Sequence, residues 1–134
     1  MMKIALSIAM LSALIFAGEY TEKDRIEDMK DLEDAMVLVQ KGFLYNNLSM
    51  IESGVNEIKE NAMSVEPPLK NEEKYLDKLE SYSYKYAKRQ SAKMTVHADD
   101  IVQDYKDGNK KQAVNAYNKI FKQCMTCHER IRDW

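Results

Sequence analysis

Two cysteines and a histidine near the C-terminus are the residues of this chain whose types and spacing are best suited to chemistry. Cys124 and Cys127 are three positions apart, and His128 follows the second cysteine directly. Residues three and four apart share one face of a helix, so all three side chains would project from one side. The pattern C-x-x-C-H is typical of covalent haem attachment, in which both thiols bond to the porphyrin and the histidine ligates the iron.

Three other uses of paired cysteines stay open on the residues alone. A redox dithiol usually opens a helix, where the helix dipole lowers the thiol pKa, whereas this pair lies deep in a predicted helix. A zinc site requires four ligands, and the chain holds two Cys and two His, so that His97 would have to approach from another helix. A disulfide across one helical turn has poor geometry. The spacing therefore favours haem.

The N-terminus has the composition of an export signal. Lys3 supplies a positive charge, residues 4–16 are apolar, and two small residues suited to cleavage follow. The apolar stretch is shorter than the roughly 20 residues that span a bilayer, although an uncleaved anchor stays open. We predict a signal peptide over residues 1–18, one mature domain over residues 19–134, and location in the periplasm, where haem attachment would be completed.

The elements that must position the cysteines are helices. Apolar residues recur at spacings of three and four, with no period-two alternation and no glycine-rich strand–helix turn. The predicted helices cover residues 22–45, residues 48–62 with Asn47 as N-cap, about 72–105 after a loop at Pro67 and Pro68, and the residues after a turn at 106–109. Short connections between neighbouring helices imply an all-α, antiparallel up-down-up-down four-helix bundle.

Each predicted helix carries one apolar stripe that we expect to face the core. The stripes are Ile26, Met29, Leu32, Met36, Val39 and Phe43 on the first helix; Leu48, Ile51, Val55, Ile58 and Ala62 on the second; Leu76, Leu79, Tyr86, Ala87, Met94 and Ile101 on the third; and Ala113, Ala116, Tyr117, Ile120, Cys124, Cys127 and Ile131 on the fourth. Both cysteines thus belong to a core-facing stripe.

Charge limits the classes of partner. The formal net charge of −2 argues against nucleic acid as a partner. Residues 106–132 nevertheless hold seven Lys or Arg against two acids. That excess either steers an acidic redox partner or is an ordinary solvated helix face. No paired acid and base suggests an enzyme.

With these residues in view, the chain resembles the class II cytochromes c, the cytochrome c prime family. Its members are four-helix bundles with C-x-x-C-H near the C-terminus, followed four residues later by a basic residue, which here is Arg132. They also carry a basic residue early in the first helix and, four residues on, the residue over the distal haem face. Here those residues are Arg25 and Met29. An aromatic residue often precedes the C-terminal basic residue, and Ile131 departs from that pattern.

The resemblance implies one haem c, covalently attached through Cys124 and Cys127. His128 is then the proximal ligand of the iron, and Met29 is the distal ligand, as in the low-spin members. This ligand pair predicts a carrier of electrons between periplasmic or membrane-bound redox proteins, and not an enzyme. Family members are often dimers through their first two helices, so a homodimer is a further expectation.

Two alternatives to Met29 ligation stay open. Met63 is a competing distal ligand, and Met29 can equally be a core methionine that fills a gap. If the sixth position of the iron is open, the resemblance implies a five-coordinate protein that binds nitric oxide or carbon monoxide.

In two antiparallel helices joined by a short turn, residues at equal distances from the turn lie at the same level of the bundle. Counting from each predicted turn in this way, which we call reflection, gives the level of the haem. Reflecting His128 about the turn at 107–108 reaches residues 87–89 of the third helix, so we predict that Tyr86 packs against the ring. His97 would lie roughly 12 Å away, at about 1.5 Å per residue.

Three arginines are predicted at the haem level, namely Arg25, Arg89 and Arg132. A guanidinium group there is suited to pair with a haem propionate, and a solvated helix charge is the plainer interpretation of each.

Overall fold

A computed structural model of the chain describes residues 21–64 and 84–132, which form four helices. The helices are α1 (Glu22–Leu44), α2 (Leu48–Ser64), α3 (Tyr84–Lys106) and α4 (Lys110–Arg132). Each helix packs against the next along the chain, as an antiparallel four-helix bundle requires. The predicted fold class is confirmed. The predicted signal peptide, and the predicted start of the third helix near residue 72, lie outside the described residues.

Capping residues determine where α1 and α2 begin. The Thr21 hydroxyl accepts a hydrogen bond from the Asp24 amide at 3.3 Å, and the Asp24 carboxylate accepts one from the Thr21 amide at 2.6 Å. The Thr21 hydroxyl also donates to that carboxylate, which lowers the pKa of Asp24. Asn47 Oδ1 accepts from the amide of Met50 at 3.1 Å, which confirms the predicted N-cap of α2. These reciprocal hydrogen bonds between Thr21 and Asp24 form a capping box, which begins α1 at Glu22 and places Arg25 in its first turn.

The α1–α2 turn and the α3–α4 turn lie at the same end of the bundle. Asn46 Oδ1 accepts hydrogen bonds from the Tyr105 hydroxyl, at 2.6 Å, and from Lys110 Nζ. Gly108 has a φ of 80°, a left-handed conformation that favours glycine, in the turn predicted at 106–109. Because both turns share this end, the starts of α1 and α3 and the end of α4 share the opposite end.

One apolar core connects the helices. Its buried members are Leu32, Ala35, Met36 and Val39 of α1; Ile51, Val55, Ile58 and Ala62 of α2; Met94, Ala98, Ile101 and Tyr105 of α3; and Ala113, Ala116 and Ile120 of α4. Ile26 departs from its predicted stripe and is 52% exposed. It precedes Met36 by ten residues, which places it about 80° around the helix from the stripe, at 3.6 residues per turn. In the described part of the chain, no helix combines the length and apolarity needed to cross a membrane.

Gly54 permits the close approach of α1 and α2. A Cβ at this position would lie 2.7 Å from Val39 Cγ2 and 2.8 Å from the carbonyl oxygen of Ala35. We therefore expect Gly54→Ala to lower the free energy of unfolding by about 1–2 kcal/mol, even after the roughly 1 kcal/mol that alanine gains in helix propensity. Urea denaturation measures this change. The exposed neighbour Ser53→Ala should shift it by less than about 0.5 kcal/mol, and equal stabilities of the two variants would contradict the close approach.

Candidate haem-attachment site

At the end of the bundle opposite the turns, α3 and α4 are joined by polar contacts. The side-chain amide of Gln123 donates a hydrogen bond to Gln90 Oε1, and Gln90 is only 4% exposed. Nearer the end, the guanidinium of Arg130 lies 4.3 Å from the centroid of the Tyr86 ring. These pairs agree to within one helical turn with the register obtained by reflection about residues 107–108.

Cys124 and Cys127 are free thiols one turn apart on α4. Cys124 packs against the core, and Cys127 is partly buried. Burial raises the pKa of the Cys124 thiol, and the neighbouring Cys127 raises it further. Burial also raises the pKa of Cys127, against the opposite effect of the Arg130 and Arg25 guanidinium groups. Both groups are therefore neutral thiols at pH 7.

Because the thiolate is the reacting form, burial should protect both cysteines of the haem-free chain from alkylation. We expect Cys124 and Cys127 to react with iodoacetamide at pH 8 severalfold more slowly in the folded protein than in urea, and the folded-state rate to rise as the pH is raised further. Mass spectrometry of the alkylated peptides measures each rate, while circular dichroism verifies that the helices are folded. Equal rates in buffer and in urea would contradict the burial of the thiols.

Residues from α1 and α3 reach the level of Cys127. The charge of Arg25, in the first turn of α1, is close enough to lower the pKa of the Cys127 thiol. Tyr86, in the first turn of α3, is 7% exposed. Burial raises the pKa of its phenol, and the nearby Cys127 raises it further. The structure thus brings together three of the predicted site residues, which come from three different helices.

His128 and Met29 extend this site. His128 directly follows Cys127 and is partly buried. Met29 lies one turn after Arg25 on the same face of α1, and its partly buried side chain packs against the core, as Cys124 does from α4. Met63, the competing methionine, is 68% exposed. Burial therefore favours Met29 over Met63 as the sulfur on the inner side of the bundle.

Two further residues named from the sequence play smaller parts. Arg132 is the last residue of α4, and its side chain lies outside the described residues. His97 Nδ1 lies 3.4 Å from Asp100 Oδ2 within α3.

In residues 21–64 and 84–132, no three His, Cys, Asp or Glu side chains are grouped to hold a metal ion. Haem attachment requires no such group, because the motif contributes one nitrogen ligand to the iron and two thioether bonds to the porphyrin.

Arg130 is the neighbour of the cysteines that the sequence reasoning passed over. Its guanidinium stacks on Tyr86, and the guanidinium carbon of Arg89 lies 5.9 Å from the centroid of the same ring. The signal was present in the sequence, because Arg130 is three residues after Cys127 and therefore lies close to it on the helix surface. The stacking of Arg130 on Tyr86 could not be predicted in this way, because Tyr86 belongs to α3, which only the fold brings close to α4.

Comparisons with known proteins assign no family to this chain, so its fold class is what the structure defines. No protein-family model matches it, and no significant match was found among curated proteins or solved structures. The architecture is a four-helix bundle with two thiols and an imidazole near the end of its last helix. The resemblance to the class II cytochromes c stays a prediction.

Proposed function

We propose that this chain is a monohaem c-type cytochrome that transfers electrons. The observation that carries the proposal is the placement of Cys124 and Cys127. They are unbridged thiols one turn apart on α4, and Cys127 is close to Arg25 and Tyr86 from two other helices. This arrangement supplies two points of covalent attachment next to a ligating imidazole and beside the apolar core.

The donor set fits a covalently attached haem. Two neutral thiols are the groups that form thioethers with a porphyrin, and the imidazole of His128 is an ordinary proximal ligand. The thioether of Met29, on the inner face of α1, would be the distal ligand. The guanidinium of Arg25 is suited to pair with a haem propionate, and Arg132 has the same role in the proposal.

When bound, the haem supplies an iron that alternates between two oxidation states. The protein's part is to keep the surroundings of that iron nearly constant. The imidazole of His128 on α4 and the thioether of Met29 on α1 would hold the iron from two packed helices, which would keep the reorganisation that accompanies each electron small. The core residues packed against Met29 and Cys124 would limit the access of water, and the buried Tyr86 would supply an aromatic surface at the same level.

The cellular setting follows from the predicted export signal. A chain exported to the periplasm and bearing haem c would exchange electrons with periplasmic or membrane-bound redox proteins. Binding of nitric oxide or carbon monoxide is the competing function, and it requires that Met29 leave the iron or never bind it.

The experiment that tests the proposal uses the full chain, produced in a bacterium that attaches haem to exported proteins. Mass spectrometry after denaturation should show the polypeptide plus one haem, and absorption spectra of the oxidised and reduced protein should be those of low-spin, six-coordinate iron. A bare polypeptide would refute the proposal. A broad high-spin spectrum with rapid carbon monoxide binding would retain the haem but assign the gas-binding function instead.

A further inference from the structure

Positive charge is concentrated on one face of the bundle, along the seam between α3 and α4 near the cysteines. Residues 84–93 of α3 contain four Lys or Arg and no Asp or Glu, and residues 119–130 of α4 contain three Lys or Arg and one Glu. Farther along α3 and into the turn that follows it, residues 99–107 contain four Asp and one Lys. The net charge of −2 conceals this segregation.

Contacts between the two helices show which of these cations share a face. The guanidinium groups of Arg89 on α3 and Arg130 on α4 both lie over the Tyr86 ring, at 5.9 and 4.3 Å from its centroid. Lys93 lies one turn beyond Arg89 on α3, on the same side. All three side chains are exposed.

Lys119 completes the set on α4. It is four residues before Gln123, which bonds to Gln90 across the seam, so Lys119 also lies toward α3. Its side chain is exposed. We name Arg89, Lys93, Lys119 and Arg130 the α3/α4 basic face.

We propose that the α3/α4 basic face is the surface on which an acidic protein partner docks. The inference rests on the proposed function in one respect, that the partner exchanges electrons at the cysteine-bearing end of α4. Arg130 ties the face to that end, since it is three residues from Cys127 and is held in place by Tyr86. A partner seated there would lie against the helix segment that carries the attachment site.

Charge and size favour an acidic protein over a long polyanion. Along α4 the face spans about 17 Å, at roughly 1.5 Å per residue. The four Asp at 99–107 lie farther along the bundle, and they would repel a polyanion that extends in that direction. Such a face steers association and thereby raises the association rate, an effect that salt weakens.

Matched charge variants test the docking face. Lys93→Glu/Lys119→Glu reverses two charges on it, whereas Lys41→Glu/Lys111→Glu reverses two exposed charges near the opposite end and gives the same net charge. A short oligoglutamate peptide, no longer than the face, is the acidic probe, and its binding to the haem-loaded protein at low salt is followed by nuclear magnetic resonance. We expect the face variant to weaken binding at least about tenfold and the control variant to weaken it less than about twofold. The backbone amide resonances that shift when the probe binds should belong to residues 84–93 and 119–130.

Two results would overturn the docking proposal. Equal weakening in both variants would show that only net charge matters. Binding to vesicles of phosphatidylglycerol without binding to the oligoglutamate peptide would assign the face to a membrane surface. A chain that carries no haem but binds the probe through this face would refute the electron-transfer function alone, so the two failures are distinguishable.

Discussion

The double variant Cys124→Ala/Cys127→Ala should lose covalently bound haem completely. In the proposed site each thiol would provide one of the two thioether bonds, so removing both would leave the imidazole of His128 without an anchored porphyrin. A denaturing gel stained for haem measures the result, because only covalently attached haem remains on the denatured chain. Either single variant should keep one bond and stain more weakly than the parent protein.

A matched control lies between the two cysteines. Thr126 is exposed, and its hydroxyl donates to the carbonyl of Lys122 within α4. Thr126→Ala should therefore retain full haem staining, and circular dichroism should show helical content like that of the parent in every variant. Staining that persists in the double cysteine variant would contradict attachment through these residues.

Met29→Leu should convert the protein from low-spin to high-spin iron and open the sixth position to carbon monoxide. Leucine fills nearly the same volume as methionine but has no sulfur to donate, so the substitution should cost less than about 1.5 kcal/mol of folding stability. The variant therefore removes the iron ligand while leaving the packing of the core nearly unchanged. Absorption spectra of both redox states, with carbon monoxide added to the reduced protein, measure the change.

Two other methionines serve as controls for Met29. Met36 is 8% exposed within the core, one heptad further along α1, and Met63 is 68% exposed on α2. Met36→Leu and Met63→Leu should both leave the spectrum low-spin. A spectrum that stays low-spin in Met29→Leu and becomes high-spin in Met63→Leu would transfer the distal role to Met63. A high-spin parent protein would favour the gas-binding function.

Much of the candidate site was predictable because its parts are local. The spacing of Cys124, Cys127 and His128 within one helix defines a motif whose chemistry requires no knowledge of the fold. The reflection that placed Tyr86 near the end of α4 required only two helices of constant rise joined by a short turn. Arg130 was not predicted, since a stacking partner is chosen by packing between helices and not by spacing within one.

The sequence by itself determined the helical architecture. Its three-and-four periodicity set the core stripes, Asn47 and Gly108 marked a cap and a turn, and the two cysteines were placed on a core-facing stripe. These features act over one or two turns, where the covalent chain alone fixes which residues are neighbours.

Only the tertiary structure decided which side chains from different helices meet. It placed Arg25 near Cys127, exposed Met63, and brought Arg89 and Arg130 to a single ring. Such neighbours depend on the rotation of each helix about its axis and on how closely the helices approach, as at Gly54. Those quantities are set by the packing of the whole core, and no short stretch of sequence contains them.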